Sequence, residues 1–173
     1  MTIPHLAVKS SKEEWAAQAQ VYFDKEEYYR AMSCFEKASM RDKAAVAQAY
    51  HLREDARMMT SESRQRSKAL VNAAEVFREC AKTTAKREYL RTAAECYDSA
   101  GELRRAAQSY EEAEAFDIAA QRYCNSKTFE AARRVIDKHE RMMSTHVVNG
   151  VKDKIRLHYF ENNELPCVRT CPF

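Results

Sequence analysis

The sequence predicts an all-α fold, a right-handed α-solenoid of about nine helices stacked as antiparallel pairs. Three observations carry that expectation. Only two glycines and three prolines occur in 173 residues, and Pro4, Pro166 and Pro172 all sit near the ends. Between Leu6 and Leu165, therefore, no proline ring locks φ or removes a backbone donor. Alanine, glutamate, lysine, arginine and glutamine are abundant, and all are good helix formers. Small residues and aromatics also recur at helical spacing through 90–139. Leu90, Ala94 and Tyr97 precede Gly101, Ala106, Tyr110 and Ala113. Phe116, Ala120 and Tyr123 precede Phe129, Ala132 and Ile136.

The elements follow in order. Ser11 and Glu14 have capping-box spacing, which starts the first helix at Lys12. Trp15, Ala19 and Tyr22 share one face of it, and 24–27 makes a turn. The second helix carries Tyr28, Ala31, Phe35 and Ala38. A longer helix over 42–58 carries Ala45, Ala49, Leu52 and Ala56 on a stripe, with Tyr50 beside it. The break at 58–63 offers Ser61 or Ser63 as the next cap. Residues 64–82 then carry Leu70, Ala73, Ala74, Phe77 and Ala81. Thr83 and Thr84, weak helix formers, predict a short connection before the helix containing Leu90. After a turn beyond His139, a last helix from Val147 to Glu161 places Val148, Val151, Ile155 and Tyr159 on one stripe. The predicted organisation is an N-terminal extension over 1–11, one helical repeat domain over 12–161, and an irregular tail over 162–173.

Charge and cysteines exclude several classes. A formal net charge of +3 arises from 29 basic and 26 acidic side chains, and no polybasic block stands out. That argues against a dedicated nucleic-acid arm. No apolar stretch approaches the ~20 residues that cross a bilayer. The start, MTIPHLAVKSSKEEW, lacks the apolar core of a signal peptide. An intracellular protein, cytoplasmic or nuclear, with no membrane contact is expected. Cys34, Cys80, Cys96 and Cys124 fall beside alanines or aromatics in helical positions, where cysteine acts as a small buried hydrophobe. Cys167 and Cys171, even with His158, make a poor zinc spacing. No metal or cofactor is expected.

Trp15, Ala19, Tyr22, Ala31, Phe35 and Ala38, repeated as Leu90, Ala94, Tyr97, Ala106, Tyr110 and Ala113, resemble a tetratricopeptide repeat of ~34 residues. Gln18 and Ala93 stand where that family prefers leucine, and Lys43 and Ile118 where it closes on proline. Leu90 to Phe116 is only 26 residues, which implies shorter helices or tighter turns. The succession of AVAQAYHLREDARMM, VNAAEVFRECA, YLRTAAECYDSAGELRRAAQSYEEA, VIDKHE and IRLHYFENNEL narrows the match. It is similar to the helical-repeat region of large fungal proteins that carry a UvrD-like, superfamily-one helicase segment. Vertebrate tetratricopeptide-and-ankyrin-repeat proteins are similar too. The resemblance implies a helicase context that this chain does not itself supply. A P-loop needs phosphate-cradling glycines before Lys and Ser or Thr, and neither Gly101 nor Gly150 is so followed. The resemblance also implies a further helix beyond Leu165. Without it, an exposed stripe of Val148, Val151 and Ile155 is expected to favour self-association.

In tetratricopeptide units the first helix of each pair lines a concave, peptide-binding face. Carried over, that face holds Glu13, Ala16, Gln20 and Asp24. Later units give Glu88, Arg91, Glu95 and Asp98, then Asp117, Gln121 and Asn125. It is acidic, so the expected partner is a basic or amphipathic peptide or helix. The alternative is a nucleic-acid-associated accessory segment using a basic outer face of Arg104, Arg105, Arg133, Arg134 and Lys138. Both faces also read as ordinary solvated charge. No aromatic interleaves the basic face for base stacking, and Glu111, Glu112 and Glu130 dilute it. Carboxylate pairs such as Glu95 with Asp98 sit one turn apart, as on any soluble helix. His51, His139 and His146 lack triad or metal spacing. A non-catalytic scaffold is expected.

Overall fold

The computed structural model describes residues 11–60 and 63–161. Among these residues it is all-helical, with nine α-helices, one 3₁₀ turn and no strand. The predicted extension up to Ser10, the tail 162–173 with Cys167 and Cys171, and Ser61 as a cap lie outside the described residues. Where the sequence predicts one domain over 12–161, the chain falls into two compact units, one ending at Gly101 and the other starting at Glu102.

The first unit contains α1 (Lys12–Asp24), α2 (Tyr28–Lys37), α3 (Arg41–Met58), α4 (Arg64–Thr84) and α5 (Arg87–Ser99). Each packs on the next in sequence. Ser11 caps α1 through the predicted capping box, and Ser63 caps α4 by accepting from the amides of Gln65 and Arg66. Ala73 and Ala74 are both fully buried on α4. Adjacent residues point about 100° apart on a helix, so burying both requires a neighbour on either side, here α3 and α5. The connection expected at Thr83 and Thr84 is instead the last turn of α4. Both hydroxyls donate back to the Cys80 carbonyl, at 3.1 and 2.6 Å, and Ala85 ends the helix in the left-handed region.

The second unit contains α6 (Leu103–Glu112), α7 (Phe116–Asn125), α8 (Phe129–His139), the 3₁₀ turn Glu140–Met142 and α9 (Thr145–Glu161). Helix α7 is central, contacting α6, α8 and α9, and buries Ala119 and Ala120 side by side. Its core gathers Phe116, Tyr123, Val135, Ile136, Met143, Val148 and Val151. The expectation of an exposed α9 stripe is therefore corrected. Val148 and Val151 are each 3% exposed, because α9 folds back on α7 and α8. The apolar side chains that α9 leaves to solvent are Leu157 and Phe160.

One turn design recurs in both units. Glu26, Ser39, Glu114 and Lys127 all have positive φ, near +60°. Each lies four residues after an aromatic: Tyr22, Phe35, Tyr110 and Tyr123. The amide following each positive-φ residue donates to that aromatic's carbonyl at 2.8–2.9 Å, the long bond of a Schellman turn. Gly101, at φ +81°, follows Tyr97 by the same interval. These positions fall 13 residues apart at 26 and 39, and again at 101, 114 and 127. The short 26-residue spacing seen in the sequence is two such steps.

The four described cysteines are free and buried. Burial lifts the Cys96 thiol from 9.0 to about 11, with Arg53 and Arg57 partly opposing the shift. Burial also raises Tyr28, Tyr50 and Tyr89. A group held neutral in this way stabilises the fold fully below its unfolded pKa and loses that contribution as pH rises through the folded value.

Two outcomes follow for stability. Lys127→Gly relieves left-handed strain and raises the unfolding free energy by about 0.5–1 kcal/mol, whereas Gly101→Ala lowers it by about 1 kcal/mol. Denaturant unfolding followed by far-UV circular dichroism checks both. Stability should also fall between pH 9 and 11, and Cys96→Ala should flatten that slope relative to the parent chain at matched pH.

Candidate functional site

The first unit holds a groove of about 920 Å³ built from the end of α1, the first half of α3 and the start of α5. Helix α1 contributes Gln20 and Phe23, and α3 contributes Arg41, Asp42, Lys43, Val46 and Tyr50. Glu88 and Tyr89 come from α5, and Phe35, Ser39, Met40, Thr84 and Lys86 complete the lining. The volume lies in the ~300–1,000 Å³ range of ligand clefts.

Its floor is aromatic and fixed from below. The Phe23 ring meets Tyr50 edge-on at 5.5 Å and Phe35 at 6.4 Å. Tyr50 stacks on Tyr28 at 5.1 Å and meets Phe77 edge-on at 5.0 Å. Phe77 in turn stacks on Tyr89 at 6.4 Å. Such ring pairs contribute ~0.5–1.5 kcal/mol each beyond their burial. Held by several partners at once, the floor rings are pre-set before any ligand arrives.

The rim is charged and mixed, with Arg41, Lys43 and Lys86 against Asp42 and Glu88. Lys86 reaches Glu88 at 3.7 Å, and the Lys43 ammonium lies 5.7 Å over the Phe35 ring.

Of the seven residues predicted for a groove, only Glu88 lines this one. Arg91 and Glu95 are exposed on α5, and Asp98 is half-buried with a partner of its own. Asp117, Gln121 and Asn125 belong to α7 in the second unit. Asp117 has a structural task there. Its carboxylate accepts from the Ser144 amide at 3.0 and 3.3 Å, satisfying a backbone donor at the start of α9. Of the residues assigned to the first repeat, Gln20 lines the groove, while Glu13, Ala16 and Asp24 do not.

The predicted basic face divides as well. Arg104, Arg134 and Lys138 border a second cleft of about 610 Å³, shared with Glu111, Glu112 and Glu114. Arg134 donates to Glu111 at 2.7 Å, and the Tyr123 hydroxyl donates to the same carboxylate at 2.9 Å. Arg133 faces Asp137 at 3.7 Å, and Arg105 is half-buried with a partner. Much of that positive charge is offset within the unit.

The sequence reading missed Phe23, Lys43, Tyr50, Lys86 and Tyr89. Adjacent bulky pairs such as Tyr22–Phe23 and Tyr89–Leu90 were the available signal. A helix that presents one member of a pair to its neighbour presents the other to a different face. Among the described residues, no group of three His, Cys, Asp or Glu side chains is placed to hold a metal ion, and no helix is long and apolar enough to cross a membrane. In comparison with known proteins, no family model, curated protein or solved structure matches the chain.

The task assigned to Asp117 has a direct check. Asp117→Ala should cost about 1 kcal/mol and speed amide exchange at Ser144 and in the first turn of α9. Unchanged exchange there would show that the carboxylate does not hold the helix.

Proposed function

We propose that the chain is a non-catalytic protein-interaction module, a tetratricopeptide-like solenoid whose first unit binds an amphipathic peptide or helix. The observation that carries the reading is the aromatic groove of Phe23, Phe35, Tyr50 and Tyr89 under a charged rim. Rigid rings supply contact area at little entropic cost, while a mixed rim orients a partner that has one apolar and one polar side. The regular turns after Tyr22, Phe35, Tyr110 and Tyr123 support a repeat-like pairing of helices within each unit. Each step is shorter than the helices of a ~34-residue repeat would need. The resemblance to repeat regions of UvrD-like helicase proteins suggests a place inside a larger assembly, where such a module would recruit a partner. Nucleic-acid contact through Arg104, Arg105, Arg133, Arg134 and Lys138 has less support, because Glu111 and Asp137 already take up two of those charges.

The test blocks the groove without disturbing the core. Gln20 is exposed and lines the groove; Gln48 is exposed and does not. Each is replaced by cysteine and coupled to a bulky maleimide, and cell-extract proteins retained on the purified chain are compared with and without nuclease. The label at position 20 should cut retention of the bound protein at least about tenfold, with position 48 and nuclease without effect. Retention that nuclease abolishes, or that both labels reduce equally, would remove the proposal. Steady ATP turnover by the purified chain would count against the non-catalytic reading.

A further inference from the structure

We infer that the groove of the first unit selects an acidic peptide segment carrying a bulky apolar anchor, which reverses the basic partner expected from the α5 and α7 carboxylates. The inference rests on the peptide-binding reading of that groove. Its charge balance gives the sign. Lys86 and Glu88 sit within 3.7 Å of one another and offset each other. That leaves Arg41 and Lys43 against Asp42. Among the described residues neither Arg41 nor Lys43 makes an ion pair. Lys43 instead rests over the Phe35 ring at 5.7 Å, while Lys86, besides facing Glu88, lies over the Tyr89 ring at 5.9 Å.

Two helix starts add to this field. Helix α3 begins at Arg41 and α5 at Arg87, and the first turns of both line the groove. Each N-terminus carries about half a positive charge on its unsatisfied amides. Cations lying on aromatic faces stand beside the floor on which an apolar side chain would settle. A leucine-, phenylalanine- or tryptophan-class anchor on Phe23, Tyr50 and Tyr89 would therefore bring flanking Asp or Glu side chains to Arg41 and Lys43. A basic peptide would meet three cations and two helix N-termini with only Asp42 and Glu88 in compensation.

The experiment pans a random-peptide phage library on the full chain. Enriched peptides are then titrated, as fluorescein conjugates, against the parent chain, an Arg41→Glu/Lys43→Glu variant and the chain labelled at position 20. Both substitutions put carboxylates in the first turn of α3, where the helix dipole favours them, so the variant should fold, and circular dichroism checks this. The expected result is a set of net-acidic peptides with a bulky apolar residue. Their affinity should fall at least about tenfold in the variant and with the groove label. Enrichment of net-basic peptides that the label blocks, or of acidic peptides indifferent to the charge reversal, overturns the inference but leaves a peptide groove standing. No enrichment, or peptides that ignore the label, overturns both.

Discussion

The first unit depends on a relay of aromatic rings. Phe23 on α1, Tyr28 on α2, Tyr50 on α3, Phe77 on α4 and Tyr89 on α5 meet in sequence at 5.0–6.4 Å, so each helix contributes one ring. Alanines make the relay workable. Ala19, Ala31, Ala47, Ala73 and Ala94 are fully buried, which lets helix axes approach closely while the rings fill what remains. A core of uniformly large residues would push the axes apart and lose the ring contacts. The same rings have a second surface. Phe23 and Tyr50 are only half-buried, and with Tyr89 they form the floor of the groove. Packing and the proposed recognition draw on the same residues, so changes to the floor would act on stability as well as on binding.

The turns supply the second constraint. A helix of ten residues, such as α2, α6 or α7, holds too few internal hydrogen bonds to stand alone. Closing each one with a left-handed residue, and with an amide donating back to an aromatic carbonyl, aims the next helix at the ring that precedes the turn. Glu26, Ser39, Glu114 and Lys127 accept an unfavourable conformation to do this, at a cost of ~1–2 kcal/mol each for side chains other than glycine. Gly101 adopts its positive φ without that strain. The turns are thus held by what they connect rather than by their own sequence.

This explains what was legible in the chain. The all-helical class, the capping box at Ser11 and the starts of α1, α2 and α4 depend on local chemistry, and the residues announce them. The buried cysteines and most buried alanines were legible for the same reason, although on α3 the predicted Ala45 and Leu52 are half-buried and Ala44 and Ala47 are buried instead. Two long-range features were not. Val148 and Val151 looked exposed because nothing local says that α9 folds back on α7, a reversal secured by Asp117 reaching the Ser144 amide. Asp117 itself looked like a groove carboxylate, since a helix cap contributed by a distant helix leaves no mark in the spacing. The cleft proposed for recognition was not legible because the sequence pattern follows the face that packs, whereas Phe23, Tyr50 and Tyr89 also line the neighbouring face.

Counting charges along the chain misled for a related reason. Glu111, read as diluting the basic face from nearby, meets Arg134 directly at 2.7 Å and shares Tyr123. Once such pairs are removed, the field at a surface is set by the charges that remain without a partner. Exposed pairs of this kind contribute only ~0–1 kcal/mol to stability. Their larger effect is on recognition, because each one cancels a charge that a partner would otherwise sense. Among the residues lining the first unit's groove, the cations outside any ion pair are Arg41 and Lys43, beside a floor that is already apolar. On the proposed reading, charge sets the sign of the partner there and the aromatic floor sets its anchor, and neither is visible from the net charge of the chain.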